Sequence, residues 1–151
     1  MPSISRRQFF ALTTGACFYA TGPLRAGSAR VAVNDNGIAI DGYDTTAYWT
    51  KGIPRFGQSG HSVNWSGSDW HFTSAEDANT FAANPHAFAP QFGGFCTRAL
   101  SFKKIVNGDP EVWRIHQGKL YLFARPVGGE KFDENQDTMI RKAQAYWDTL
   151  S

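Results

Sequence analysis

Apolar and polar positions alternate with a period of two along two stretches of the chain, and a turn signal interrupts each. The first stretch is His61-Ser62-Val63-Asn64-Trp65, followed by Ser66-Gly67-Ser68-Asp69 and then Trp70-His71-Phe72. A two-residue loop at Gly67-Ser68 sets Trp65 against Trp70, Val63 against Phe72 and Asn64 against His71, so four apolar residues share one side of the ribbon. The second stretch runs from Val112 to Phe123 and turns at Gln117-Gly118. It pairs Ile115 with Leu120 and Trp113 with Leu122 as a core face, and points Arg114 and Tyr121 outward.

Helical spacing flanks both hairpins. Ser74 reads as an N-cap with Glu76 and Asp77 in the first turn, and Ala75, Ala78, Phe81 and Ala82 form an inward stripe that Pro85 ends. Ile140, Ala143, Trp147 and Leu150 share one face of a helix from about Asn135 to Leu150. Asp41-Gly42-Tyr43-Asp44 reads as a turn into a short helix through Ala47-Tyr48-Trp49. Together these elements predict one α+β domain, a small antiparallel sheet built from two hairpins and covered by helices.

The N-terminus follows neither period. Arg6 and Arg7 precede an apolar stretch from Ala11 to about Gly22, Pro23 ends it, and small residues follow at Ala26-Gly27-Ser28-Ala29. A charged start, a short apolar run and a small-residue cleavage site read as a signal peptide over residues 1–29, too short to remain as a membrane span. Ser5-Arg6-Arg7-Gln8-Phe9 resembles a twin-arginine export signal, which implies the Tat machinery as a partner and a periplasmic or otherwise exported destination. An ordinary secretory signal with a chance arginine pair is the alternative. Cys17 does not read as a lipoprotein cysteine, because Thr14-Gly15-Ala16 lacks an aliphatic residue three positions before it.

Composition narrows the field further. The chain has 151 residues, of which 42% are hydrophobic and 15% aromatic, which excludes a disordered polymer. Its formal charge of +2 is too small and dispersed for a nucleic-acid binder. Of the 15 basic residues, Arg6, Arg7 and Arg25 leave with the signal, so 12 face 13 acidic ones in the remaining domain, residues 30–151. Cys17 leaves too, and Cys96 becomes the lone thiol. In an oxidising compartment it is a reactive group, an intermolecular disulfide partner, a ligand or a buried inert side chain.

A longer pattern runs through most of the domain. Gly42-Tyr43-Asp44 with Ala47-Tyr48 opens it, and Trp65-x-Gly67-x-x-Trp70-x-Phe72-x-Ser74-Ala75-Glu76, Phe81 and Asn84-Pro85 continue it. Ala89-Pro90-Gln91-Phe92-Gly93-Gly94-Phe95-Cys96, Gly108-Asp109-Pro110-Glu111-x-Trp113 and Gly118-Lys119-Leu120-Tyr121-Leu122 complete it. From Ile38 to Trp147 the chain resembles the YHS-domain family, in the exported form with a single GGxC segment. The resemblance implies a metal-handling context, with a transition metal such as copper as the cofactor. It departs from the paired-cysteine version, because Ser74 stands where a second cysteine is expected.

Candidate chemistry centres on Cys96. Gly93-Gly94 before it permit close backbone approach, and Cys96 begins a short helix through Leu100 whose N-terminus, with Arg98, favours a thiolate. A metal ligand or redox thiol competes with a small hydrophobe packed against Phe92 and Phe95. His86 is the histidine able to fold back towards Cys96, with Tyr43 or Asp44 as further ligands. His61 and His71 fall on opposite faces of the first hairpin, and His116 sits in solvent beside the second turn. Serine turns at Gly57-Gln58-Ser59-Gly60 and Gly67-Ser68 lack the strand-turn-helix setting of a nucleophile elbow. The five tryptophans either line a ligand pocket or fill the core. The expectation is a non-enzymatic binding domain for a transition metal or small ligand near Cys96. The alternatives are a thiol-dependent redox protein or enzyme using Cys96, and a structural accessory domain without a ligand.

Overall fold

The structure, a computed structural model, describes residues 30–150; the signal peptide expected over residues 1–29 lies outside the described residues. The elements are α1 (Ala47–Thr50), β1 (Gln58–Trp65), β2 (Ser68–Phe72), α2 (Ala75–Ala83), α3 (Pro85–Phe88), α4 (Thr97–Ser101), β3 (Asp109–His116), β4 (Lys119–Phe123), α5 (Pro126–Glu134) and α6 (Gln136–Trp147). The architecture is α+β. Each hairpin stays a two-stranded sheet of its own, β1-β2 and β3-β4, and the helices pack around them.

The first hairpin turns one position earlier than its sequence suggests. Trp65 pairs with Ser68, Asn64 with Asp69, Val63 with Trp70 and Ser62 with His71. The loop is Ser66-Gly67, with φ of 53° and 76°, the two left-handed residues in succession that match a tight hairpin to strand twist. The expected loop at Gly67-Ser68 would have placed the glycine first and a serine second. The pairing error is a slip of two in register, and side chains alternate with period two, so the same faces stay together. Trp70 and Phe72 are buried as expected. An irregularity between Gln58 and Ser62 breaks the ladder at His61.

The second hairpin pairs Ile115 with Leu120 and Trp113 with Leu122, as its pattern predicts. Its burial differs. Ile115 is exposed, whereas Tyr121 is buried rather than outward. Tyr121 is buried because β4 lies between two cores. Leu120 and Leu122 face a first core with Tyr48, Trp70, Phe72 and Phe81. Tyr121 and Phe123 face a second with Phe92, Cys96, Leu100, Phe132 and Ala143. The helix α5 supplies Phe132 to that second core, its ring 5.3 Å from Tyr121 and 5.1 Å from Phe123.

Ser74 caps α2 by accepting a hydrogen bond from the Asp77 amide at 3.1 Å. Ala78 and Phe81 point inward, but Ala75 and Ala82 are exposed, so the buried stripe is narrower than the spacing implied. Asn135 caps α6, and a turn of 3-10 helix from Asp148 to Leu150 follows it.

One buried carboxylate ties the chain together. Asp44 is fully buried, and its Oδ1 accepts from the Thr46 amide at 2.8 Å and the Thr46 hydroxyl at 2.6 Å. Oδ2 accepts from the Thr73 amide at 2.9 Å. The Thr73 hydroxyl lies 2.9 Å from Asp44 Oδ2 and 2.7 Å from Asp77 Oδ2, and its single proton serves one of them at a time. The start of α1 is thereby fixed to the β2-α2 junction. Asp44→Ala leaves the buried Thr46 amide and the part-buried Thr73 amide without acceptors, so it is expected to cost about 3 kcal/mol and lower Tm by roughly 10–15 °C. Thr73→Val keeps the Thr73 amide bond and is expected to cost about 1 kcal/mol. Chemical and thermal unfolding measure both; equal stability of Asp44→Ala and the parent would show that the carboxylate ties nothing.

Candidate functional site

Cys96 stands at the head of α4 as its N-cap residue, as expected from the short helix read there. Its Sγ accepts from the Ala99 amide at 3.4 Å, and its own amide donates to the Val106 carbonyl at 2.8 Å. Phe95 and Asn107 form an antiparallel bridge beside it, and the Gly108 amide donates to the Gly94 carbonyl at 2.9 Å. This short two-stranded contact sets Val106 beside Cys96 in the cavity wall.

The segment before Cys96 is shaped by close packing. Phe92, Gly93 and Gly94 all have positive φ, and the Ala32 amide donates to the Gly93 carbonyl at 2.9 Å. A Cβ on Gly93 would meet the Arg30 carbonyl oxygen at 1.8 Å, and one on Gly94 would meet Ile40 at 2.6 Å. The glycine pair is therefore the seam where the N-terminal strand-like segment crosses the Cys96 loop. Its role is the close backbone approach the sequence suggested.

A cavity of about 270 Å³ opens over Cys96. Phe102, Val106, Ala124 and Val127 form apolar walls, and Arg98 and Arg125 are the charged groups lining it. The Arg98 guanidinium also lies over the Phe102 ring, 5.6 Å from its centre. Cys96 itself is 4% exposed and belongs to the second core with Phe92, Leu100 and Tyr121.

The other candidate positions do not converge on the thiol. His86 is exposed and sets its ring edge-on against Trp65 at 5.2 Å. It lines a separate cleft of about 200 Å³ with Trp65, Phe92, Gly93 and Trp147. Asp44 is consumed by the two threonines. Tyr43 belongs to the first core, where its hydroxyl donates to Glu111 Oε1 at 2.8 Å and its ring packs on Phe56 at 4.1 Å. Among the described residues, no group of three or more His, Cys, Asp or Glu is placed to hold a metal ion.

His116 is not in open water. Its side chain is 20% exposed, with Nε2 3.3 Å from Asp137 and its ring edge-on to Phe132 at 5.8 Å. His71 packs beside Gly42. The tryptophans are chiefly packing groups: Trp65 and Trp70 meet at 5.6 Å, and Trp113 meets Tyr48 at 5.2 Å.

The cavity walls from β4 onward were not legible as site residues. Ala124, Arg125 and Val127 reach Cys96 only because α5 begins at Pro126 and folds back over β4. The signal that was available lies at Arg98, Phe102 and Val106, a cation and two apolar residues within ten positions of the thiol. Compared with protein-family models, with curated proteins and with solved structures, the chain finds no match.

Tyr43 gives the first core a titration signature. Burial, then the hydrogen bond to Glu111 and the nearby carboxylate charge, push its pKa up to about 12. Burial also raises the pKa of Tyr48, whose hydroxyl donates to the Pro110 carbonyl at 2.8 Å, and of Tyr121. The neutral phenol is the form the fold favours, so its stabilisation is complete below the unfolded value of about 10 and is lost as pH rises towards 12. Stability is expected to fall over that alkaline window, and to fall less steeply in Tyr43→Phe. Unfolding curves against pH, with tyrosinate absorbance alongside, measure this; a Tyr43 that ionises at its ordinary value would contradict it.

Proposed function

We propose that the chain is an exported, non-enzymatic binding domain of YHS type, and that its ligand occupies the cavity over Cys96. The ligand is a small molecule with an apolar body and one anionic group. The observation that carries this reading is the make-up of the walls: Phe102, Val106, Ala124 and Val127 supply apolar surface, Arg98 and Arg125 supply positive charge, and no carboxylate lines the cavity. Pockets for small ligands combine that kind of apolar lining with a few placed polar groups.

A transition metal such as copper finds poorer support there. The thiol would be its one soft donor, with neither imidazole nor carboxylate on the cavity wall. The thiol-enzyme alternative needs a base beside Sγ, and the cavity wall carries neither a histidine nor a carboxylate to serve as one. Export rests on the N-terminal pattern around Arg6 and Arg7, with the Tat machinery as the partner that reads it. The YHS assignment rests on the order and spacing of the motifs from Gly42 to Leu122.

Calorimetric titration of the full chain with octanoate and with octylamine tests the reading. Octanoate is expected to bind and octylamine not to. Arg98→Gln and Arg125→Gln are each expected to weaken octanoate about fivefold, the effect of one partly solvated charged contact. Ala124→Leu, which fills the cavity, is expected to abolish binding while thermal unfolding shows a folded protein. Equal affinity for the two probes, or unchanged binding in Ala124→Leu, would overturn the proposal. So would stoichiometric metal in the exported protein that Cys96→Ala loses. Rapid alkylation of Cys96 at neutral pH in metal-free protein would transfer the assignment to a redox thiol.

A further inference from the structure

Six consecutive residues, from Phe102 to Asn107, are exposed where the chain passes from α4 to β3. The loop leaves the helix through a tight closure: the Lys103 amide donates to the Leu100 carbonyl at 2.8 Å and the Lys104 amide to the Ala99 carbonyl at 2.9 Å. This is a Schellman ending with Lys103 at the left-handed position, φ 60°, where glycine is the usual residue. A β-carbon there costs stability, so the lysine is held in a conformation its side chain disfavours.

The tip gathers surface that soluble domains rarely concentrate. Among the described residues seven large hydrophobic side chains are exposed, and four of them are here: Phe102 at 63%, Ile105 and Val106 at 44%, and Val127 at 40%. Cations ring them. Lys103 and Lys104 lie in the loop, Arg98 and Arg125 line the cavity beneath it, and Lys142 shares two surface depressions with Phe102. From Arg98 to Gly108 there is no acidic residue, although acidic residues outnumber basic ones by one over residues 30–151. In sequence, the first acid after the loop is Asp109 at the start of β3, and the first after Val127 is Glu130; Glu134 on α5 is taken up by Lys131 at 2.7 Å.

We propose that this tip docks the domain onto an anionic lipid bilayer. Phe102, Ile105 and Val106 enter the interface, with Val127 at their edge, and the surrounding cations meet lipid phosphates. Charge selects the occupant. A second copy of the chain would set one ring of cations against another. A stable protein interface needs about 800 Å² from each partner, more than a six-residue tip offers, whereas a bilayer accepts a small apolar tip flanked by basic residues. Among the described residues no helix is long and apolar enough to cross a membrane, so the contact is peripheral. The proposal does not require a ligand in the Cys96 cavity, although Arg98, Phe102, Val106, Arg125 and Val127 belong to both surfaces.

Co-sedimentation of the full chain with vesicles containing about one-third phosphatidylglycerol, against pure phosphatidylcholine vesicles, is the test. All proteins compared share the same N-terminus, so differences report the tip. Wild type is expected to favour the anionic vesicles and to lose that preference at high salt. Lys104→Gln is expected to weaken partitioning about fivefold and Ile105→Ser about tenfold. Neither residue lines the Cys96 cavity, so octanoate titration should be unchanged in both, which separates failure here from failure of the ligand reading. Lys103→Gly removes a charge and relieves the left-handed strain, so it is expected to weaken binding about fivefold with Tm unchanged or raised. Equal binding to both vesicle types, or wild-type partitioning in the three variants combined, would overturn the proposal. Self-association of the wild type that these variants abolish, without vesicle binding, would assign the patch to a second copy and overturn it too.

Discussion

The buried carboxylate of Asp44 is the constraint on which the first half of the fold depends. A fully buried carboxyl group is tolerated only when hydrogen bonds replace the water it has lost, and here they come from two separate segments, at Thr46 and Thr73. Those bonds fix the entry to α1 against the exit of β2. The same junction carries the N-cap of α2, since Ser74 and Thr73 both reach Asp77. Asp77 is held below the usual carboxylate range chiefly by the Thr73 hydroxyl, with Ser74 adding to it. One cluster of short polar side chains thus orients a helix, a hairpin and the start of a second helix.

The other half of the fold is organised by β4. With neither face open to water, its side chains join two apolar cores, Leu120 and Leu122 on one side and Tyr121 and Phe123 on the other. Cys96 belongs to the second core and owes its position to the glycine seam at Gly93-Gly94. The thiol therefore lies on the boundary between packed interior and an apolar, cation-lined cavity. That boundary position, rather than the count of cysteines, is what makes the residue a candidate for recognition chemistry.

Charge is distributed unevenly enough to carry meaning. Arg114 is paired in a bidentate contact with Asp133, 2.8 Å at the shortest, and each holds the other in its ionised form. The cations around Phe102 differ in their setting: among the described residues Arg98, Lys103, Lys104, Arg125 and Lys142 form none of the ion pairs, which fall at Arg114, His116 and Lys131. The cavity over Cys96 and the exposed tip share Phe102 and Val106, so an amphiphilic anion and an anionic surface would meet the protein at one end.

What the sequence determined by itself is the local structure. The two-residue period placed both hairpins, the second in register to the residue, because Gln117-Gly118 suits the required turn. The helical stripe over Ile140, Ala143, Trp147 and Leu150, the Ser74 cap and the short helix from Cys96 were equally legible, because caps and periodicity act within a few residues. Tertiary structure decided the rest. Tyr121 is buried because burial of a strand depends on what covers each face, and α5 covers the one that alternation had left to solvent. Asp44, His86 and Tyr43 looked like possible partners for Cys96. The fold gave Asp44 to its threonines, Tyr43 to Glu111 and His86 to Trp65, and brought Arg125, Ala124 and Val127 to the thiol instead. Spacing along a chain measures reach, whereas a binding site depends on which distant surfaces share a wall.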